Sequence, residues 1–511
     1  MNWLNQIADE AIRQHPEGEI IVSSGVSPSG KYHLGTLREI LTAEVVMLEL
    51  KRRGRQSRHL HIVDDHDVFR KIPAGLPEEY EQYLGKPLSD VPSPTGEGSY
   101  ADYYLNDMLT AAEKLHLEME VIRSNDNYKK GMFVPAIEKT MSHLDDIRRI
   151  LAEVSGRQLD EQWSPIQVLE DGRLKNRPFK AINTDQKVIT YVNKDGEDQQ
   201  ISYANGDVKL NWRIDWPARW WLLGVNVEPF GRDHATKGGS YDTGKELVRD
   251  IFGATAPIPV PYNFINRTGE TKKMSKSAGD TITASELLDM LPPEIVRYFI
   301  FRASPDKLLF FDEGEALMRL FDDFAALLAN PEKTDSEKQL IELCMHGVEQ
   351  PTASNIPFTH LVASYQASLK DAQRTIDVIK RTEHADTAER DAEIITRELQ
   401  FIGAWLEKRA PEEVKFSLSD TVDLTQFTET EQAFLRGLGE KVADAPADAD
   451  GAWFHDAIYQ FKDELGLGPK ELFTTLYRAL IGKTSGPRAG WFLSILPRDW
   501  LVTRLSLKLN Q

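Results

Sequence analysis

His33, which stands two residues before Gly35 and three before Thr36, and the pair Lys273 and Lys276 are the side chains whose type and spacing invite phosphate chemistry. In the stretch Gly25-Val26-Ser27-Pro28-Ser29-Gly30-Lys31-Tyr32-His33-Leu34-Gly35-Thr36, the glycines let backbone approach a ligand closely. Ser29 and Thr36 add hydroxyl donors, and His33 adds a ring donor. In Lys272-Lys273-Met274-Ser275-Lys276-Ser277-Ala278-Gly279-Asp280, lysines on a loop flanked by Gly269 and Gly279 can close over a polyphosphate and follow its charge during reaction. Each stretch also has a plainer reading, an ordinary turn that carries a histidine and a solvated lysine loop.

The elements around them favour a nucleotide site. Residues 19–22 read as a short buried strand and 37–53 as a helix, with Leu37, Ile40, Leu41, Val45 and Leu48 at helical spacing. A strand, a glycine-rich turn and a helix start offer unpaired N–H groups with partial positive charge, where a phosphate is a natural guest. A second strand at 58–63 completes a βαβ unit that feeds a parallel sheet, and it ends in Asp64-Asp65-His66-Asp67, followed by Arg70-Lys71. In open α/β sheets ligands bind beyond the carboxyl ends of strands, so this acidic cluster is expected to face the same crevice as His33. Carboxylates there could hold a cationic substrate or, less directly, Mg²⁺.

The whole chain sets outer limits. With 511 residues it is too long for one core, and 41% hydrophobic and 28% charged residues describe a soluble globular protein without a membrane span. Its N-terminus has no basic region followed by an apolar core, so a cytoplasmic location is expected. The single Cys344 excludes an intramolecular disulfide and a zinc site built on several thiolates. A net charge of −19 speaks against nucleic acid as a partner, yet the final 35 residues, 477–511, hold six basic residues against one acidic, with Trp491 and Trp500 among them. Such a tail could grip RNA, and equally could be a solvated helix face with core tryptophans.

Further along, 72–100 is rich in proline and glycine and reads as irregular, and helices are expected at 101–116 and 132–155. Residues 159–212 carry alternating strands with turn signals and read as a small β-ribbon insert. The chain is then expected to return to the sheet at Trp212-Arg213-Ile214-Asp215-Trp216-Pro217-Ala218-Arg219-Trp220-Trp221. A strand near 225–230 delivers Gly231-Arg232-Asp233-His234, and Gly238-Gly239 opens another helix. A strand at 259–265 leads into the lysine loop, helices follow near 283–303 and 312–329, and 330–338 reads as a linker. Beyond it the pattern is helical, over 358–381, 387–405, 429–444, 453–464 and 469–481.

His33-Leu34-Gly35-Thr36 and Lys273-Met274-Ser275-Lys276-Ser277, in this order and context, resemble the HIGH and KMSKS signatures of the class I aminoacyl-tRNA synthetases. Within that class the chain resembles the lysine enzymes of Rossmann type, end to end. The closest points are Gly25 to Gly30, Asp64 to Asp67 with Arg70-Lys71, Asp215 to Trp220, Gly231 to His234, and Gly238 to Tyr241. Two departures are visible. Thr36 stands where the signature ends in histidine or asparagine, and the ribbon lacks the cysteines with which many relatives bind zinc, so no structural metal is expected. The glutamate enzymes of the same class place an arginine ahead of the first turn; here Ser23 occupies that position, and aspartates gather at the crevice instead. A glutamate-type enzyme and a catalytically silent tRNA-binding paralogue stand as alternatives.

The resemblance implies an α/β fold with a Rossmann-like parallel-sheet catalytic domain over 1–158 and 213–280. The β-ribbon insert occupies 159–212, a helical stem-contact region 281–330, and an α-helical anticodon-binding domain 338–511. It implies activation of L-lysine by ATP, with Mg²⁺, to lysyl-adenylate, and transfer to tRNA(Lys). His33, Lys273 and Lys276 are then the catalytic candidates. Pro28, Ser29, Gly30, Leu34, Gly35, Thr36, Gly231, Asp233, His234, Gly239, Met274, Ser275 and Ser277 join them around ATP. Gly25, Ser27, Asp65, Trp212, His234 and Tyr262 are the candidates for lysine, and Arg478, Lys483, Arg488 and Trp491 those for tRNA.

Overall fold

Apolar runs bounded by turn signals and separated by helical patterns should fold as parallel strands with crossover helices. The computed structural model, which describes residues 1–73, 75–160, 163–269, 282–419, 421–446 and 449–507, has that arrangement. Strands β1 (Ile20–Val26), β2 (Ser57–Val63), β3 (Met119–Arg123), β4 (Val227–Gly231) and β5 (Ile258–Tyr262) form one sheet in the order β5-β4-β1-β2-β3, every pair parallel. From β1 the chain builds outward through β2 and β3 on one side and returns through β4 and β5 on the other. The carboxyl ends of β1 and β4 therefore flank the topological switch point, where an open α/β sheet leaves a crevice.

Helix α1 (Leu34–Arg52) follows β1 and is buried along most of its length. It begins three residues earlier than its apolar periodicity predicts, because His33 caps it. Polar groups buried beneath the sheet are satisfied by one another. Ser24 Oγ on β1 lies 2.8 Å from both His59 Nε2 and His61 Nδ1 on β2, and His59 Nδ1 lies 2.7 Å from Glu44 on α1.

The expected ribbon is present as two antiparallel sheets of three strands. One consists of Ile166–Glu170, Arg173–Asn176 and Val208–Leu210, the other of Phe179–Asn183, Val188–Val192 and Asp198–Ser202. Asp171 (φ 51°) and Gly172 (φ 70°) make the two-residue hairpin turn of the first, which requires positive φ at both positions. Its inward residues Ile166, Val168, Val208 and Leu210 share a core with Ile147, Trp216 and Phe230.

The segment after the ribbon corrects the sequence reading. Trp212–Leu223 is a helix, α2, closed by Gly224 in the left-handed conformation. Nine of its twelve residues are aromatic or apolar, which blurs the distinction between strand and helix periods. Trp212, Trp216 and Trp220 recur at i, i+4 and line one helical face, with ring centroids 5.3 and 4.9 Å apart. Asp215 and Arg219 share the same i, i+4 spacing and pair with each other. They belong to a buried cluster in which Lys209 Nζ lies 2.9 Å from Asp64, Arg219 lies 2.7 Å from Asp64, and the Tyr128 hydroxyl donates to Asp215 at 2.6 Å.

The chain forms two compact units. The first comprises Met1–Leu288, Val296–Phe311 and Thr334–Gly347. It includes the helix Asp335–Cys344, whose capping box of Thr334 and Glu337 begins inside the stretch read as a linker. The second comprises Asp289–Ile295, Asp312–Lys333 and Val348–Gln511, and is helical throughout its core. The single helix expected at 358–381 is two, Phe358–Ala367 and Ala372–Ile379. Leu369 (φ 56°) and Lys370 (φ 60°) break it, and Asp371 caps the second piece.

Two carboxylates and two cations neutralise one another in the buried cluster, and removal of one cation strands charge in a medium that solvates it poorly. Arg219→Met is expected to lower unfolding free energy by about 3–5 kcal/mol in a denaturant titration. A loss below about 1 kcal/mol, the range of an exposed pair, would contradict this role.

Candidate active site

The turn after β1 is built around His33. Its Nδ1 accepts a hydrogen bond from Gly35 N at 3.0 Å, which caps α1 and leaves the ring proton on Nε2 as a donor. Gly35 is required by this fold-back, since a Cβ there would stand 2.8 Å from His33 Cε1. His33, Gly35 and Thr36 line a cavity of about 480 Å³ with Gly25, Val26, Ser27, Ser29, Glu39 and Lys71 on one side, and Gly231, Asp233, His234, Tyr262, Phe264 and Ile265 on the other. These residues follow β1, β4 and β5, so the cavity occupies the predicted switch point. Gly231 is also constrained, as a Cβ would meet Asp233 Oδ1 at 2.6 Å.

Glu39, one helical turn beyond Thr36, anchors the cavity floor. It accepts from Gly25 N at 2.8 Å and from the Tyr262 hydroxyl at 2.5 Å. Burial, reinforced by the Glu39 carboxylate, pushes the Tyr262 phenol well above its ordinary range, so it stays a donor.

A second cavity of about 610 Å³ shares Gly25, Val26, Ser27 and His234 with the first and runs toward the ribbon. Trp163, Gln167, Asn176, Trp212 and Ile214 line it, together with the charged side chains of Asp64, Asp67, Arg70, Arg157, Lys209, Arg213 and Arg219. Asp67 accepts from Ser27 Oγ at 3.2 Å, from Arg70 at 2.7 Å and from Val68 N at 2.8 Å. Burial and then the Asp64 charge push its carboxyl up. Burial opposes ionisation of Asp64 too, but Arg219 and Lys209 outweigh it and hold that carboxyl below the usual range.

The expected site residues are therefore only partly brought together. Gly25, Ser27, Ser29, His33, Gly35, Thr36, Gly231, Asp233, His234 and Tyr262 line the first cavity, and Trp212 lines the second beside His234. Pro28, Gly30 and Leu34 are buried in the turn and stand outside the lining. Gly239 caps the helix Ser240–Leu247, pressed against the carbonyls of Thr236 and His234, and also stands outside it. Asp65 corrects the sequence reading. It is fully buried, accepts from Arg123 Nε at 2.7 Å and Asn125 N at 2.8 Å, and lines neither cavity. Lys273, Met274, Ser275, Lys276 and Ser277 lie outside the described residues. Glu39, Arg157 and Lys209 escaped the sequence reading. Glu39 alone had a signal, a carboxylate at i+3 from Thr36 on a helix that is otherwise buried.

The C-terminal candidates change character as well. Trp491 is buried, its ring stacked on His360 at 4.0 Å, and so presents no face to an RNA base. Arg478 donates to the carbonyl of Gln426 and lies over the Phe427 ring at 4.7 Å; Lys483 donates to the carbonyls of Glu412 and Lys415. Arg498 and Arg504 likewise cap carbonyls, those of Ala445, Pro446 and Ser419. Of the four candidates Arg488 is exposed. Much of the basic excess in this tail thus staples helices and loops of the second unit together.

Comparison with known proteins finds two family models along the chain. The family model of class I (K) tRNA synthetases matches residues 1–350, and that of an anticodon binding domain matches residues 406–509. Lysine–tRNA ligase 1 of Methanosarcina acetivorans is 35% identical over 99% of this chain and 98% of its own length. The lysine–tRNA ligase of Archaeoglobus fulgidus is 35% identical over the full length of both. Among solved structures, a glutamate tRNA ligase from Elizabethkingia meningosepticum covers 96% of this chain and 98% of that chain at 13% identity, with a TM-score of 0.42. No helix among the described residues is long and apolar enough to cross a membrane.

Behind the site, Glu228 on β4 is buried and accepts from the indole N–H groups of Trp216, at 3.1 Å, and Trp220. Burial pushes its carboxyl up to about 8 despite these donors, with the Glu39 charge adding to the shift. Between an ordinary carboxyl value near 4.5 and about 8, the unfolded chain releases this proton while the folded chain keeps it. Stability from this group is thus fully present below pH about 4.5 and is lost as pH rises through about 8. Glu228→Gln is expected to flatten the fall in melting temperature between pH 5 and 8.5; a parallel fall in variant and wild type would contradict the assignment.

Proposed function

We propose, for a chain that belongs to the class I (K) tRNA synthetases and is therefore an aminoacyl-tRNA ligase, that its amino acid is L-lysine and its nucleic-acid partner tRNA(Lys). The reaction on this reading has two steps. The lysine carboxylate attacks the α-phosphate of ATP to give lysyl-adenylate and pyrophosphate, and a terminal ribose hydroxyl of the tRNA then takes the lysyl group and releases AMP. No protein nucleophile is needed, so the side chains act by positioning reactants and by stabilising charge on the transferring phosphate.

The observation that carries the reading is the meeting of two cavities at Gly25, Ser27 and His234 over the switch point of the sheet. ATP suits the first cavity. His33 Nε2–H and the Thr36 hydroxyl are donors to its phosphates, and Gly231 and Asp233 border its nucleoside. Mg²⁺ bound to the phosphates would spread their charge, and the exposed carboxylate of Asp233 at that cavity suits an ion that takes one or two carboxylates and keeps several waters. Lys273 and Lys276 are assigned to the α-phosphate and the departing pyrophosphate.

Lysine suits the shared rim. Asp64 and Asp215 face Lys209 and Arg219, and Asp65 faces Arg123. Glu39 and Asp67 line one cavity each and are hydrogen-bonded to Gly25 and Ser27. Two residues of extended chain span roughly 6.6 Å, a distance suited to the two ammonium groups of lysine at the ends of its stem. Trp212 and His234 flank that stem. Ser23, buried on β1 where the glutamate enzymes place their arginine, offers no cation to a side-chain carboxylate. The match of 406–509 to an anticodon binding domain supports tRNA as the second partner, with Arg488 as an exposed contact; the cytoplasm is the site of action on this reading.

The test is ATP–pyrophosphate exchange with lysine and with glutamate. Exchange is expected with lysine alone, and Lys276→Ala is expected to lower its rate roughly 10²-fold, the cost of one transition-state donor. Exchange driven equally by glutamate would contradict the substrate, and an undiminished rate in the variant would contradict the role of the lysine loop.

A further inference from the structure

Outside the catalytic unit, one group of side chains among the described residues has the chemistry and spacing of a metal site. His360 stands in the first turn of the helix Phe358–Ala367, and Glu383 and His384 stand in the turn before the helix Ala385–Arg390. His360 Nδ1 lies 2.9 Å from His384 Nε2, and the same Nε2 lies 3.8 Å from Glu383 Oε1. One ligand atom from each residue falls within 4.8 Å of the others. A tetrahedral ion with bonds of about 2.0–2.1 Å to nitrogen and oxygen sets its ligand atoms roughly 3.3 Å apart. The two separations at His384 bracket that value, and the third lies within 4.8 Å, so side-chain adjustment of Glu383 would bring all three ligand atoms onto one ion.

The two imidazoles are also held in place before any ion arrives. Trp491, buried in the core of the second unit, stacks on the His360 ring with centroids 4.0 Å apart and planes inclined by 15°. The turn that carries His384 is fixed by Thr382, whose hydroxyl donates to Ile379 O at 2.7 Å and accepts from His384 N at 3.2 Å. His384 is mostly buried, its side chain 16% exposed, while Glu383 is open to solvent at 57% and gives an ion a way in.

We propose that His360, Glu383 and His384 bind a single divalent zinc-type ion that cross-links two segments of the helical unit. Two imidazole nitrogens and a carboxylate suit Zn²⁺ rather than Mg²⁺ or Ca²⁺, which take oxygen ligands. The His360–His384 hydrogen bond uses one N–H. When the ion replaces it, that imidazole carries its proton on the other ring nitrogen, so two neutral rings ligate without net proton release. Three protein ligands leave a fourth position for water. The cysteine count, which excludes a thiolate-rich site, has no bearing on a histidine–carboxylate one.

The test titrates Zn²⁺ alone into the metal-stripped full chain by calorimetry, with Co²⁺ absorption as a second readout of ligand geometry. One equivalent of Zn²⁺ is expected to bind, and His384→Ala is expected to remove it. Glu383→Gln, at an exposed position that leaves packing untouched, should weaken it at least about tenfold, no less than the loss of an outer-shell partner costs. The Zn²⁺-induced rise in melting temperature should disappear in His384→Ala. A wild-type chain that binds no ion, or variants that bind the same equivalent with unchanged affinity, would overturn the proposal.

Discussion

The buried charge cluster of Asp64, Lys209, Arg219 and Asp215 is the constraint from which the rest of the catalytic unit follows. Its members come from three pieces of chain: the residue after β2, the last ribbon strand, and two successive turns of α2. None of these charges tolerates burial alone, so the cluster forces the ribbon and α2 against the carboxyl edge of the sheet. It also disposes of two aspartates that would otherwise compete for a cationic ligand. Asp65 is removed in the same way by Arg123. What lines the cavities is therefore set partly by which carboxylates the fold consumes for itself.

The second constraint is steric and acts at the switch point. His33 folds back over Gly35 to cap α1, which uses Nδ1 as an acceptor and fixes the start of the helix. Gly25 and Ser27, on either side of Val26, carry hydrogen bonds to carboxylates in the two adjoining cavities. A single extended segment thus borders both, and in the proposed reading it holds the reacting ends of ATP and lysine together.

The parallel sheet, the ribbon and the helical second unit were legible because apolar periodicity and turn residues report directly on backbone state. Legibility failed where side chains carry both periods at once, as in the tryptophan-rich α2, or where a local left-handed break at Leu369 and Lys370 interrupts an otherwise helical pattern. At the site, Gly25, Gly35, Gly231, His33, Thr36 and Tyr262 stand out by type and place, whereas Gly30 and Gly239 fall outside the cavity lining. Asp65 and Trp491 do not sort so easily, because an acidic or aromatic residue near a site looks the same in sequence whether it faces ligand or core. The C-terminal cations teach the same point: Arg498 and Arg504 reach backbone carbonyls that only folding brings near. Glu39 shows the reverse: its place one turn after Thr36 is a sequence signal, but its role becomes plain only with Gly25 and Tyr262 beside it.

The central claim is that the crevice is built to pair an aliphatic stem with charge at its far end. Calorimetric titration of L-lysine and L-norleucine, which shares the stem and lacks the ε-ammonium, tests it most directly. The account predicts that lysine binds roughly 10²-fold more tightly, as expected for a hydrogen bond between charged groups worth about 3 kcal/mol. Equal affinity for the two amino acids would contradict it.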